Sequence, residues 1–223
     1  MNWEYSRKQG IRGLELRKIP VFGTFSIVAK SPESGLLGVA VASGSMSVGN
    51  RVPHVKPGVG VVATQAYTNI AYGTSGLELM ERGISPKKAL DRILEEDLGR
   101  ELRQVAMMDV EGNKAVFTGR KVPRWSGESI GKDYIVIGNF LVGEEVVSQM
   151  VEEFEQSTGG LALRMIKGLK MASESGGDRR GEQSAALIIV SVNGVEVEVR
   201  VNKHRTPIEE LSRRLEFHLN HSL

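Results

Sequence analysis

Residues 23–43 read GTFSIVAKSPESGLLGVAVAS, and no other stretch constrains the fold as tightly. Residues 24–29 are β-branched and apolar. Residues 31–35, Ser-Pro-Glu-Ser-Gly, form a turn, and residues 36–42 are an almost unbroken apolar run. A run of this length with no charge marks a strand covered on both faces. The chain must therefore stack something on each side of a hairpin. Gly23-Thr24 stands at the front edge of that hairpin. Taken alone, Thr24 is a β-branched residue opening a strand.

The remaining pattern supplies candidates for the covering layers. Residues 44–58 are too rich in Gly, Pro and Ser for a regular element. Residues 59–64 form another buried strand, and residues 65–72 a polar-aromatic connector. A short helix over 75–82 ends at Gly83. Ser85-Pro86 opens the next helix, with Ala89, Leu90, Ile93 and Leu94 at helical spacing. Strands over 103–109 and 114–119 flank the turn Glu111-Gly112-Asn113, and another strand covers 133–138. The segment holding Pro123 and Trp125 reads as irregular. Helices over 143–156 and 161–173 are separated by Gly159-Gly160. Strands over 184–192 and 195–201 flank Asn193-Gly194, and a helix over 207–219 closes the chain.

The order is three strands, two helices, three strands, two helices, two strands and one helix. Hairpin blocks alternating with helix pairs exclude the strict alternation of a parallel sheet. They predict an α+β fold of two stacked, mainly antiparallel sheets flanked by helix pairs. Residues 24–223 form one domain behind an extension, residues 1–23.

Composition removes several classes of function. The chain has 223 residues and no cysteine, which excludes disulfides, thiolate metal sites and a cysteine nucleophile and suits a reducing, cytoplasmic setting. Net charge is +2, so nothing calls for nucleic acid or an anionic membrane. No apolar run is long enough to span a bilayer. The extension carries Arg7, Lys8, Arg12, Arg17 and Lys18 but no apolar segment, so it is not a secretory signal. It reads as a solvated extension. His54, His204, His218 and His221 lack a third ligand at metal spacing, so no metal and no cofactor is expected. There is no Gly-x-Ser-x-Gly elbow and no Gly-Lys-Ser/Thr terminus.

The loop Gly176-Gly177-Asp178-Arg179-Arg180-Gly181-Glu182-Gln183 lies between a helix and a buried strand that Ser184 opens. Arg179 and Arg180 suit a substrate carboxylate, and Asp178 suits holding an arginine or an amine. A structural ion-pair loop is the competing reading. Gln65, Asn69 and Asn139 sit in polar or Gly-rich connectors, where ligands commonly bind.

Six segments in order, TFSIVAKSPESGLLGVAVAS, GVGVVATQAYTN, YGTSGLELMERGISPKKAL, ELRQVAMMD, IGNFLVG and GGDRRGEQSAALIIV, resemble the domain-of-unknown-function family 1028. The resemblance runs from Thr24 to about Val201. With the element order, it resembles the N-terminal-nucleophile (Ntn) hydrolase superfamily and implies its four-layer αββα sandwich. It also implies Thr24 as nucleophile at the mature N-terminus of the first strand, and Lys56 as the cation that lowers the nucleophile's pKa. A free α-amine, with a pKa of roughly 8, serves there as general base. Gln65, Asn69 or Asn139 would meet the oxyanion. The reaction implied is hydrolysis of an amide bond in a small molecule or short peptide, in a homo-oligomer.

One departure matters. In the resembling proteins the threonine commonly follows the initiator methionine directly, whereas residues 1–23 precede it here. While they stay attached, the Thr24 nitrogen is an amide without basicity. Either the chain starts elsewhere, or it cuts itself at Gly23-Thr24, where glycine tolerates a strained backbone. The alternatives to catalysis are an Ntn-like scaffold binding a small anionic ligand and a purely structural subunit of an assembly.

Overall fold

The computed structural model describes residues 23–221. The basic extension read from the sequence lies outside the described residues. Strands β1 (Thr24–Lys30), β2 (Leu37–Ser43), β3 (Pro53–Lys56) and β4 (Gly60–Ala66) come first, followed by helices α1 (Ala71–Glu81) and α2 (Pro86–Glu96). Next are β5 (Arg103–Asp109), β6 (Lys114–Thr118), β7 (Ser126–Ile130) and β8 (Tyr134–Asn139), then α3 (Glu145–Gln156) and α4 (Leu161–Glu174). The chain closes with β9 (Ser184–Val190), β10 (Val195–Val201) and α5 (Pro207–His221).

Six strands form one sheet in the order β10-β9-β2-β1-β8-β7, and four form a second in the order β3-β4-β5-β6. All their pairings are antiparallel. The opening hairpin is thus the centre of the larger sheet, which is why its second strand tolerates no charge.

Strand periodicity assigns the faces. Phe25, Ile27 and Ala29 pack outward with Met150, Phe154, Met165, Leu169, Leu211 and Leu215 of α3, α4 and α5. The alternate residues Val28, Val39, Val41, Ile137 and Ile188 face inward onto Val61, Ala63, Ala106 and Met108 of the smaller sheet. That sheet's other face, with Val62, Val105 and Met107, is covered by Tyr72, Leu77, Ala89 and Leu90. The result is an α+β layered sandwich. Burying each such side chain is worth roughly 1.5–3 kcal/mol. No helix among the described residues is long and apolar enough to cross a membrane.

Two strands depart from the sequence expectation. The segment read as a loop over 44–58 holds β3, and the one read as irregular around Trp125 runs into β7. Both are edge strands with a single neighbour. In β7, Ser-Gly-Glu-Ser-Ile has no apolar alternation, so its strand character comes from pairing with β8. Helix α1 also begins earlier than expected, because the Asn69 side chain accepts the Ala71 N–H at 3.1 Å.

Candidate active site

Register places Asn139 opposite Thr24, Thr24 opposite Ser43, and Ser43 opposite Ser184. All four continue the inward-facing rows that are apolar further along β8, β1, β2 and β9. In the smaller sheet, Gln65 stands opposite Gln104 and Gln104 opposite Thr118, again as the polar ends of inward-facing rows. One end of the space between the sheets is therefore lined by polar side chains from both.

These groups form a connected network. Ser26 Oγ donates to Gln65 Oε1 at 2.5 Å, and Gln65 Nε2 donates to Gln104 Oε1 at 2.8 Å and to the Thr24 carbonyl at 3.1 Å. Asn139 Nδ2 donates to Gln104 Oε1 at 3.2 Å and to the Thr24 carbonyl at 3.4 Å. Gln104 Nε2 reaches the Gly138 carbonyl at 2.9 Å and the Gly127 carbonyl at 3.1 Å. Because Asn139 Nδ2 faces two oxygens, its amide orientation is fixed. Its Oδ1 is a buried side-chain acceptor without a partner.

The Thr24 hydroxyl lies 3.0 Å from the Ser43 hydroxyl, which donates to the Gly23 carbonyl at 2.7 Å. A hydroxyl has one proton, so Thr24 donates to Ser43. The Ser45 N–H donates to the same Ser43 oxygen at 3.1 Å, and the Ser45 hydroxyl lies 2.9 Å from it. Arg51 Nη2 in turn donates to Ser45 Oγ, while its Nη1 donates to the Met46 carbonyl at 3.0 Å. Donors that converge on Ser43 polarise its own O–H toward the Gly23 oxygen. That oxygen also accepts the Gly44 N–H at 3.3 Å.

Asp178 closes the other side. Its carboxylate accepts the N–H of Gly44 at 2.7 Å and of Arg180 at 3.0 Å. Burial raises its pKa, and these two N–H groups oppose the rise. The carboxylate lies so close that a Cβ on Gly23 would sit 2.6 Å from Asp178 Cγ, and one on Gly44 would sit 2.3 Å from Asp178 Oδ2. Glycine at both positions is a packing requirement.

Among the described residues, three non-glycines hold left-handed backbone: Ser47, Ala66 and Phe140, with φ of 56°, 66° and 53°. Ala66 follows Gln65, Phe140 follows Asn139, and Ser47 lies in the loop after Ser45. Each costs roughly 1–2 kcal/mol, and such strain gathers at functional sites. Thr24 is 3% exposed, and Ser43, Gln65 and Asn139 are fully buried.

Of the residues picked from the sequence, Gly23, Thr24, Gln65, Asn139, Asp178 and Ser184 come together here. Ser184 accepts the Val48 N–H at 3.0 Å and donates to the Ser45 carbonyl at 2.5 Å, fixing the loop after β2. Lys56 is not brought to Thr24. It pairs with Gly60 at the far end of β4, five residues and about 16 Å along the strand from Gln65, and its ammonium bonds Glu81 at 2.5 Å. Asn69 is occupied at the start of α1. Arg179 gives Nε to the Leu141 carbonyl at 2.8 Å, and Arg180 lies over the Phe140 ring at 5.2 Å. Ser43, Ser45, Arg51 and Gln104 join the site without having been expected from the sequence. Strand parity could have found Ser43 and Gln104, since each is a polar residue on an otherwise apolar inward row. His54 is half-buried under α1, with a Cβ on Gly73 falling 2.1 Å from its ring, and burial lowers its pKa. Among the described residues, no group of three or more His, Cys, Asp or Glu side chains gathers to hold a metal.

Comparison with known proteins places this arrangement in a family. No curated protein matches the chain. The crystal structure of a protein from Silicibacter pomeroyi assigned to the family-model DUF1028 is 31% identical, superposes with a TM-score of 0.81, and is covered over 88% of its length by 87% of this chain. Anbu (ancestral β-subunit) from Yersinia bercovieri is 13% identical over 87% of this chain and 94% of its own, at a TM-score of 0.41, too remote to inform the chemistry. The model of the family of unknown function DUF1028 matches residues 24–211, opening on Thr24 itself. The chain therefore belongs to the family of unknown function DUF1028.

Proposed function

We propose that this chain is an amidohydrolase of the N-terminal-nucleophile type, built on a four-layer αββα sandwich, with Thr24 as nucleophile after loss of residues 1–23. The observation that carries the reading is the single hydroxyl of Ser43, bonded at once to Thr24 Oγ1 and to the Gly23 carbonyl oxygen. The nucleophile and the carbonyl preceding it share one donor–acceptor group, which supports self-cleavage.

In that reaction Thr24 Oγ attacks the Gly23 carbonyl carbon, and its proton ends on the Thr24 nitrogen as that nitrogen departs. The negative charge developing on the Gly23 oxygen meets the Ser43 hydroxyl and the Gly44 N–H. The Gly23–Thr24 C–N bond breaks and leaves an ester on Thr24 Oγ. Water cleaves the ester, releasing a carboxylate at Gly23 and freeing both the hydroxyl and the α-amine of Thr24. That amine then acts as general base toward an external amide, already oriented because it belongs to the same residue. Gln65 and Asn139 hold the Thr24 carbonyl and so fix the nucleophile's backbone. Asp178 takes the main share of the Gly44 N–H at 2.7 Å and leaves the Gly23 oxygen the longer arm at 3.3 Å, so Ser43 is the chief oxyanion donor.

Thr24→Ala tests the reading against a panel of N-acyl amino acids and short peptides. Loss of turnover by about a thousandfold or more is expected, as for removal of a covalent nucleophile. Unchanged turnover would remove Thr24 from the mechanism. A second reading, a non-catalytic scaffold binding a small anion, is favoured by the 3% exposure of Thr24. It expects no turnover by the native chain either.

A further inference from the structure

Among the described residues, Arg51 is a cation without a counter-charge. Its guanidinium is half-buried in the loop between β2 and β3, and burial lowers its pKa with no carboxylate acting against that effect. Its hydrogen bonds go to a hydroxyl and a carbonyl, Ser45 Oγ and the Met46 oxygen, and no ion pair reaches it among the described residues. A partly desolvated charge is costly unless an opposite charge meets it. Asp178, the buried carboxylate of the same corner, is satisfied by the N–H groups of Gly44 and Arg180.

The position of the charge matters as much as its lack of a partner. Arg51 bonds Ser45, Ser45 bonds Ser43 at 2.9 Å, and Ser43 bonds Thr24 at 3.0 Å. The guanidinium is thus three hydrogen bonds from the candidate nucleophile, on the side that is not fully buried. Arginine presents its donors as a planar fork that matches a carboxylate. One guanidinium beside neutral hydroxyls suits a monoanion better than a doubly charged phosphate.

We infer that Arg51 is a binding residue for a carboxylate, and that the substrate is an amide carrying a carboxylate within a few bonds of its scissile carbonyl. The substrate part of this inference rests on the reading of Thr24 as nucleophile; the carboxylate site does not.

The test is calorimetric titration of the purified full chain with N-acetylglycine, with acetamide as uncharged control and sulfate as competing anion, at constant ionic strength. Native protein is expected to bind N-acetylglycine and not acetamide. Arg51→Met is expected to bind at least about tenfold more weakly, the loss of a charge-assisted hydrogen bond. Arg51→Lys, which keeps the charge but not the fork, should fall between, and circular dichroism of both variants checks folding. Absence of binding by the native chain, equal binding by Arg51→Met and native protein, or binding of sulfate in preference to N-acetylglycine would overturn the carboxylate site. Turnover of the probe is followed separately by release of acetate, so a failed nucleophile (binding without acetate release) and a failed carboxylate site (no binding) are read from different signals.

Discussion

The Ser43 hydroxyl lies 3.0 Å from Thr24 Oγ1 and 2.7 Å from the carbonyl oxygen of Gly23, bridging the two groups that self-cleavage would join. Ser43→Ala removes that bridge while leaving a small residue on a buried strand. Cleavage of the Gly23–Thr24 bond is expected to slow by about a hundredfold or more, the usual cost of losing one oxyanion donor. A mass-spectrometric time course after purification measures it. Cleavage at the native rate would show that Ser43 is only a packing group.

Gly44→Ala tests the fit around Asp178. The added Cβ would sit 2.3 Å from Asp178 Oδ2 and 2.9 Å from the Gly181 carbonyl. The backbone oxygen cannot rotate away, so the loop after β2 must shift. A loss of roughly 1–3 kcal/mol is expected, lowering the melting temperature by about 3–10 °C. An unchanged melting temperature would mean that the carboxylate is free to move aside.

Gln104 is the joint between the sheets. It accepts from Gln65 and Asn139 and donates to carbonyls of Gly127 and Gly138. Gln104→Glu keeps the shape but places acceptors against those carbonyls. The expected cost is about 3–5 kcal/mol, the range for an uncompensated buried charge. Urea denaturation measures it, and a cost below about 1 kcal/mol would contradict a tight network.

Asp97 supplies a pH test away from the site. Arg103 Nε at 2.8 Å is the main cause of a pKa lowered to about 2, with the Gly99 N–H and the Tyr72 hydroxyl assisting. A carboxyl depressed in the folded state contributes stability that is present above its unfolded pKa and lost as pH falls through the folded one. The contribution is therefore complete above about pH 4 and disappears toward pH 2, on the order of 2 kcal/mol. Asp97→Asn should flatten the acid limb of the stability profile over that window. A limb identical to that of the native chain would place the acid sensitivity elsewhere.

Much of this is legible in the chain because the strands carry either an apolar run or an apolar alternation. The residues from Leu37 to Ala42 announce a central strand, and residues 103–109 and 195–201 fall where the patterns put them. The edge strands β6 and β10 are legible, but the edge strands β3 and β7 are not. Pro53–Lys56 and Ser126–Ile130 are strands because a neighbour pairs with them, and pairing leaves no local signature in a polar segment. The site divides along the same line. Thr24, Gln65 and Asn139 stand beside glycines or strand ends that a sequence shows. Ser43 and Gln104 become functional candidates only when register sets them beside Thr24 and Asn139. Lys56 was drawn in by its distance along the chain. A β-strand converts that distance into about 16 Å of separation.

The central claim is that Thr24 becomes an N-terminus. Intact-mass measurement of the purified full-length chain, incubated at neutral pH, tests it most directly. The expected result is conversion to a species beginning at Thr24 in the native chain, with Thr24→Ala remaining whole under the same conditions. A native chain that stays at the mass of residues 1–223 would contradict the account, since the Thr24 nitrogen would remain an amide and the proposed base would not exist.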